Sequence, residues 1–337
     1  MDSLKNFVHL HVHSHYSIYD ALSSVKNLVD KAIECDMPGM ALTDHGNMFG
    51  IKDLFDYCGK ENKGRKKEGL EPFKPIFGCE VYVARRTRLD KQHEFDAESR
   101  HLVLLCKNET GYRNLSYMVS QAYIEGFYIR PRIDLDLLRA HSEGLIGLSA
   151  CLAGEIPRRI LNGDYDGAKA YALELQDILG KDNFYLELQD HGIREQTEVN
   201  RGILRLHNET GIPMVCTNDA HYLRKEDAES HDVLLCIQTG KTVDDENRMR
   251  YEPQNFYLRS TEEMKALFAQ YPGAIENTGK IAEMCNLEFT FGTYHLPEFK
   301  VPEGYTSLTY FKKLCADGFA QRYGEGTDKQ RAQLEYE

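Results

Sequence analysis

The sequence has no apolar run approaching the ~18 residues of a membrane helix, so no helical membrane span is expected. It has no charged-then-apolar leader either. The chain reaches the apolar stretch FVHLH at residues 7–11, which predicts a cytoplasmic protein without a signal peptide. Nine cysteines are scattered, and none forms a Cys-x-x-Cys pair. They read as reduced thiols, most of them packed in a core. An excess of positive charge is missing too. The formal net charge is −12, whereas a free-standing nucleic-acid binder is usually basic because phosphates dominate its affinity. Two local basic stretches stand against that balance, KENKGRKKEG at 60–69 and RRTRLDK at 85–91. Each reads first as a solvated loop, with a phosphate-contacting rim as the sharper alternative. Internal repeats and low-complexity tracts are absent.

What is present is a regular alternation. Short apolar runs predict strands at 7–11, 39–43, 75–83, 101–106, 145–150, 184–188 and 213–217. Helical patterns lie between them. In SSVKNLVDKAIEC, Val25, Leu28, Val29, Ala32 and Ile33 recur at helical spacing, with Ser23 or Ser24 as N-cap. Residues 111–123 and 165–180 read the same way. Later helices are expected in KEDAESHDVLLCIQTG and STEEMKALF, the second opened by Ser260 or Thr261 with Glu263 placed for a capping box. Continuous apolar strands separated by helices predict a parallel sheet covered by helices. Seven such units in about 220 residues favour a closed β/α barrel, with an open doubly wound sheet as the alternative. GTYHLPEFKVPEGYT at 292–306 reads as a linker. The expected organisation is a barrel domain at 1–275 and a short region at 276–337 whose last helix is TYFKKLCADGFAQRYG.

In barrels of this kind the loops after the strands build the site. The strand ends carry His11 and His13 with Asp20, then Asp44 and His45, Glu80, His101, Cys151, Glu187 with Asp190 and His191, and finally Asp219 and His221. Taken singly, each has a dull explanation. A lone histidine is usually surface or satisfied core, and Cys151 alone is a small buried hydrophobe. Glu80 inside an apolar strand is odder, because an unpaired buried carboxylate is costly. Jointly, the donors keep recurring at strand ends. His11 and His13, two residues apart, share one strand face and can grip one ion, and Asp219 and His221 repeat that spacing. Imidazole, carboxylate and one thiolate suit zinc, or zinc with manganese or iron. So many donors suit two or three divalent ions with a carboxylate bridging.

HLHVHS, LTDHG, GCEVYV, RHLVLLCKNETGYRNL, SACLAGEIP and CTNDAHYL resemble the PHP (polymerase and histidinol phosphatase) domain family, in the variant that opens the alpha subunits of bacterial DNA polymerase III. FYLRSTEEM and the tail from NTGKIAEM to QRYG are similar to that family's connection into the polymerase palm. The resemblance implies a distorted seven-stranded β/α barrel with a short C-terminal extension leading into the palm. It implies one ion held by His11, His13, Glu80 and Asp219. Glu80 would bridge to a second, held also by His101 and Cys151, and Asp20, His45 and His221 would hold a third. All nine positions carry the donor type expected of metal-binding members. The resemblance gives His9 no ligand role, and its face suggests a supporting or barrel-interior position. His15 falls where the family varies and is expected to be exposed. Asp44 would orient His45 or a neighbouring ligand. His191 would either meet substrate or stand as a rim histidine.

The chemistry so implied is phosphoester cleavage. Clustered ions lower the pKa of bound water towards ~7, and the hydroxide would be held among Glu80, Asp219 and His11. In this family that points to 3′–5′ exonuclease proofreading at a DNA primer 3′ end, with the ions offsetting the acidic chain. The expected partners are that DNA, the remainder of the polymerase alpha subunit, a proofreading subunit and other replisome proteins, with no membrane. No palm carboxylate motif is recognisable after residue 300, so this chain is not expected to polymerise DNA by itself. Two other readings stay open. One is a metal-stabilised structural or docking module. The other is a free phosphatase for small phosphomonoesters, against which the polymerase-like tail argues.

Overall fold

The computed structural model describes residues 7–294 and 296–337. Residues 1–6 of the expected first domain and His295 of the expected linker lie outside the described residues. The fold is α/β, built on one curled sheet of seven strands: β1 (Gly39–Leu42), β2 (Lys74–Ala84), β3 (Ser99–Cys106), β4 (Arg132–Ile133), β5 (Leu145–Leu148), β6 (Phe184–Leu188) and β7 (Met214–Cys216). Their spatial order is β1-β2-β3-β5-β6-β7, with β4 beside β2.

Most neighbours run parallel, but β3 is antiparallel to both β2 and β5. This corrects the expectation of a wholly parallel sheet. The chain between β2 and β3 holds only the four-residue helix His93–Asp96, not the crossover helix that usually joins parallel strands. The reversal matters for the site, because it brings the start of β3 to the rim where the other strands end. The expected strand at 7–11 is present only as isolated parallel bridges, His9 to Met40 and Val12 to Ala220. Its backbone still joins the two ends of the sheet. The Ala41 N–H donates to the His9 carbonyl at 2.8 Å, and the His13 N–H donates to the Ala220 carbonyl at 2.9 Å. The two-residue β4 was not visible as a strand in sequence.

Apolar periodicity drives the helices onto this sheet. The helix Val25–Glu34 starts at Ser24, whose hydroxyl accepts from the Asn27 N–H, and it buries Val25, Leu28, Val29 and Ala32. The helix Thr261–Leu267 opens with the expected capping box between Ser260 and Glu263. Inside the sheet, Val8, Leu10, Ala41, Ile76, Val103, Ile146, Leu148 and Val215 form one fully buried cluster. Each Val, Leu or Ile side chain of it contributes roughly 1.5–3 kcal/mol, which fixes the strand ends above it. Among the described residues no helix is long and apolar enough to cross a membrane.

The chain divides into two compact units between Glu288 and Phe289. The helix Ala274–Met284 belongs to the first, because Ile281, Ala282 and Cys285 pack into the cluster just described. That places the divide later than the 275/276 boundary read from sequence. The second unit contains the expected helix, Ser307–Tyr323, and a further one, Asp328–Tyr336, beyond the end expected from sequence. Thr306 and Thr327 cap them, and neither helix has a buried residue.

Candidate metal centre

Each strand end turns its donor inward for a local reason. His11 and His13 sit two residues apart on the segment that bridges the sheet ends. A tight turn follows. The Asp44 carboxylate accepts from the Ser14 N–H at 2.7 Å, from the Ser14 hydroxyl at 2.8 Å and from the Ser17 hydroxyl at 2.8 Å. That turn delivers Asp20. Glu80 lies within β2, where its N–H donates to the Thr43 and Asp44 carbonyls, and its side chain is buried. His101 stands near the start of β3. Cys151 follows Ala150, which has φ 63°, and the turn closes on the Gly154 N–H to Cys151 carbonyl bond at 2.8 Å. A Cβ at Gly154 would come within 2.4 Å of the Ser149 carbonyl, so the turn needs glycine there. Asp219 has φ 44°, a left-handed backbone that costs free energy and recurs at functional sites.

These donors meet around Glu80. Its Oε1 lies 2.9 Å from His101 Nδ1, 3.3 Å from His11 Nε2 and 3.8 Å from Cys151 Sγ. Its Oε2 lies 2.6 Å from His45 Nδ1 and 3.6 Å from His13 Nε2. Asp219 Oδ1 is 3.0 Å from His13 Nε2 and 3.2 Å from His11 Nε2. Asp20 Oδ2 is 2.9 Å from His45 Nε2. The His221 ring centroid is 4.5 Å from that of His13. Among the described residues, three groups have donor atoms mutually within 4.8 Å: His11, His13 and Asp219; His45, Glu80 and His101; His13, His45 and His221. They differ in part from the sets the resemblance implies. His45 takes the place of Cys151 beside Glu80 and His101, and His13 that of Asp20 beside His45 and His221.

The donors fit cations better than they fit one another. His11 Nε2, both ring nitrogens of His45, Glu80 Oε2 and His221 Nε2 are buried without a hydrogen-bond partner. Yet His45 Nδ1 and Glu80 Oε2 are only 2.6 Å apart. Short separations without donor–acceptor alignment mean that these polar atoms converge on shared points instead of pairing with each other. Leaving such atoms buried is costly, and a divalent ion removes the cost.

Electrostatics agree with that reading. Burial would raise the Glu80 and Asp219 carboxyls, but surrounding imidazoles hold both well below the ordinary carboxylate range. Burial would likewise lower His11, but Asp219, Glu187 and Glu80 raise it well above 6.5. His45 is raised in the same way, chiefly by Glu80. His13 goes the other way, lowered to about 3 by burial and by His45 and His221. In the metal-free protein, protons on His11 and His45 therefore balance the buried carboxylates.

Three supporting candidates fall differently. Asp44 does not touch the His45 ring. It acts through Ser17, whose hydroxyl lies 3.2 Å from His13 Nδ1 and accepts from the His45 N–H at 3.1 Å. His9 is buried with Nε2 2.9 Å from the Arg259 carbonyl and belongs to none of the three donor groups. His191 is enclosed. It is fully buried, with Nε2 2.8 Å from the Asn218 carbonyl, Nδ1 2.7 Å from Gln196 Nε2, and its ring stacked on Phe256 at 3.7 Å. His15 is exposed.

Glu187 stood among the rim donors in sequence without a role. Here its Oε1 accepts from His11 Nδ1 at 2.7 Å and from Gln189 Nε2 at 2.9 Å, and its Oε2 accepts from the Ala150 N–H at 3.0 Å. This fixes the His11 ring so that Nε2 points to the centre. Its sequence signal was a carboxylate inside the apolar run FYLEL. Tyr251, whose hydroxyl is 3.3 Å from Asp20 Oδ1, had no signal in the polar segment that carries it.

Residues 9–191 match the family model of the PHP domain. Over its whole length the chain is 43% identical to the DNA polymerase III subunit alpha of Borreliella burgdorferi, covering 29% of that protein. It is 42% identical to the corresponding subunit of Treponema pallidum over 98% of this chain and 28% of that one. For Thermus aquaticus the figures are 40%, 96% and 26%. The chain thus spans less than a third of the length of these curated relatives.

Proposed function

Because the chain belongs to the PHP domain family, we propose that its clustered donors form a multinuclear metal centre for phosphoester cleavage, carried by an alpha subunit of a bacterial replicative DNA polymerase. The observation that carries this is the set of buried nitrogen and oxygen atoms of His11, His45, Glu80 and His221 that lie close together without an aligned hydrogen bond. Bound divalent ions, zinc, manganese or iron, would supply Lewis acidity and a water of lowered pKa. The nine ligands are His11, His13, Asp20, His45, Glu80, His101, Cys151, Asp219 and His221. Glu187 orients His11, and Asp44 acts through Ser17 on His13. The substrate is the 3′ end of a DNA primer and the reaction is 3′–5′ exonucleolytic removal of a mispaired nucleotide. The remainder of the alpha subunit, a proofreading subunit and other replisome proteins are the partners. Residues 289–337 lead towards the palm.

The test is the purified chain loaded with manganese or zinc, given DNA with a 3′ mismatch. Mononucleotide release that depends on metal and is lost in Asp219→Asn is the expected result. Absence of release across metals, with metal bound, overturns the nuclease reading. A second reading is a metal-stabilised structural or docking module. The number of protein donors favours it, because structural sites fill every coordination position with protein ligands. It expects bound metal, a melting temperature that collapses on chelation, and no digestion.

A further inference from the structure

Of the two basic stretches in the sequence, the second contains RRTR at 85–88. Two of its three arginines are used internally. Arg86 pairs with Asp96 at 2.5 Å, and Arg88 pairs with Glu125 at 2.8 Å and Asp134 at 3.2 Å. Arg85 is exposed and has no carboxylate within 4.0 Å among the described residues. Arg130 and Arg158 share both properties.

The three are not scattered. A cleft of about 440 Å³ opens on the metal centre, and Arg130 and Arg158 both line it together with His101, Cys151 and Asp219. Arg158 also lines a neighbouring groove of about 310 Å³, and Arg85 stands on that groove's wall. One arginine is thus common to cleft and groove, and the unpaired charges run from one into the other. The other arginines of the groove are neutralised: Arg100 by Glu98 and Glu155, Arg159 by Glu155 and Asp164.

Arg130 is held in place by the fold. Its guanidinium lies 5.6 Å from the Tyr82 ring centroid. The loop that presents it contains Ile129 at φ 65°, which a β-branched residue seldom adopts. The fully buried Arg132 secures that loop by donating to the carbonyls of Gly126, Asp96, Arg88 and Asp90.

We propose that Arg130, Arg158 and Arg85 form a phosphate track that leads an unpaired nucleic-acid strand through the groove into the metal cleft. The choice of ligand rests on the phosphoester reading above. An unpaired arginine in a chain of net charge −12 is suited to a polyanion, and a line of them to a repeating one. The cleft volume is that of a small-ligand site, so the strand enters without its complement.

The test reads binding, not cleavage. A fluorescein-labelled single-stranded oligothymidine is titrated with the chelator-treated chain, and fluorescence anisotropy is followed between about 50 and 200 mM salt. Arg130→Ala, Arg158→Ala and Arg85→Ala should each weaken binding several-fold. Each should reduce the slope of log K against log salt by about 0.7, the value for one phosphate of a single strand. Lysine at the same positions should restore the slope. Arg113→Ala, which removes an arginine paired with Glu109 after the far end of β3, is the charge control and should leave it unchanged. Undetectable binding by the unaltered chain, or slopes equal to its own in the three alanine variants, overturns the track. So does an equal loss in Arg113→Ala. If the oligonucleotide binds with the expected slopes but the metal-loaded chain never cuts it, the track stands and the phosphoesterase reading fails.

Discussion

Glu80 Oε2 and His45 Nδ1 lie 2.6 Å apart and do not form an aligned hydrogen bond. Glu80 belongs to one of the three donor groups, with His45 and His101, and its Oε1 also approaches His11 of a second. Removing its charge should cost more than one contact. Glu80→Gln is expected to bind at least one metal equivalent fewer by elemental analysis. A ligand present a hundredfold above its Kd stabilises a fold by about 2.7 kcal/mol, and the variant should lose most of that gain in thermal unfolding. Full metal content in Glu80→Gln would exclude a bridging role.

Glu187 touches the centre only through His11. Its carboxylate accepts from His11 Nδ1 at 2.7 Å and leaves Nε2 free to point inward. Glu187→Gln keeps the shape but presents an amide that can turn a donor towards His11 or towards the Ala150 N–H. Metal affinity should fall about 10–100-fold with the fold retained. Competition with a chromophoric chelator measures it, and circular dichroism checks the fold. An unchanged affinity would remove Glu187 from the supporting set.

The strand ends were legible because a short apolar run followed by a donor is a local pattern. Caps such as Ser24 and Ser260 were legible for the same reason. Direction was not. Periodicity is the same for parallel and antiparallel strands, so β3 gave no sign of its reversal. Nor could the pattern show whether His191 points out or in, since that depends on Phe256 and Gln196 arriving to cover it. Glu187 was visible as a donor but its role was not, and Tyr251 was not visible at all, because both roles exist only across the gaps between remote segments. The basic run at 85–91 was ambiguous until Asp96, Glu125 and Asp134 were seen to absorb two of its arginines.

Arg132 anchors the loop that carries Arg130 by donating to four main-chain carbonyls. Leucine would fill part of the volume and take this partner from the Asp96, Arg88 and Asp90 carbonyls, while the Gly126 carbonyl keeps the main-chain N–H of residue 132; each acceptor left buried costs roughly 1–3 kcal/mol before relaxation. Arg132→Leu is expected to cost about 3 kcal/mol or more in urea unfolding and to sensitise residues 85–97 to protease. A loss below about 1 kcal/mol would show that the loop holds itself.

Acid and alkali should act on different histidines. Burial lowers His9 and His191 to about 4; burial and the neighbouring His221 lower His231 to about 4; and His13 lies at about 3. Each is about 6.5 when unfolded. Between those values the unfolded chain binds protons that the folded chain refuses, so stability is full above about 6.5 and is lost as pH falls. Each group is worth at most roughly 3–5 kcal/mol, and together they are comparable with the whole stability of a domain. The chain should therefore unfold before pH 4. His11 and His45 have the opposite sign. Their folded values are raised, so their contribution is full below about 6.5 and is lost as pH rises through the folded values. Chemical unfolding in chelator should consequently show a maximum near pH 6.5. Metal replaces the protons on these two rings, so loading should remove the alkaline decline and release protons in a weakly buffered titration. If stability in chelator instead keeps rising from about pH 7 to 9, protons on His11 and His45 are not what balances Glu80, Glu187 and Asp219 in the metal-free chain.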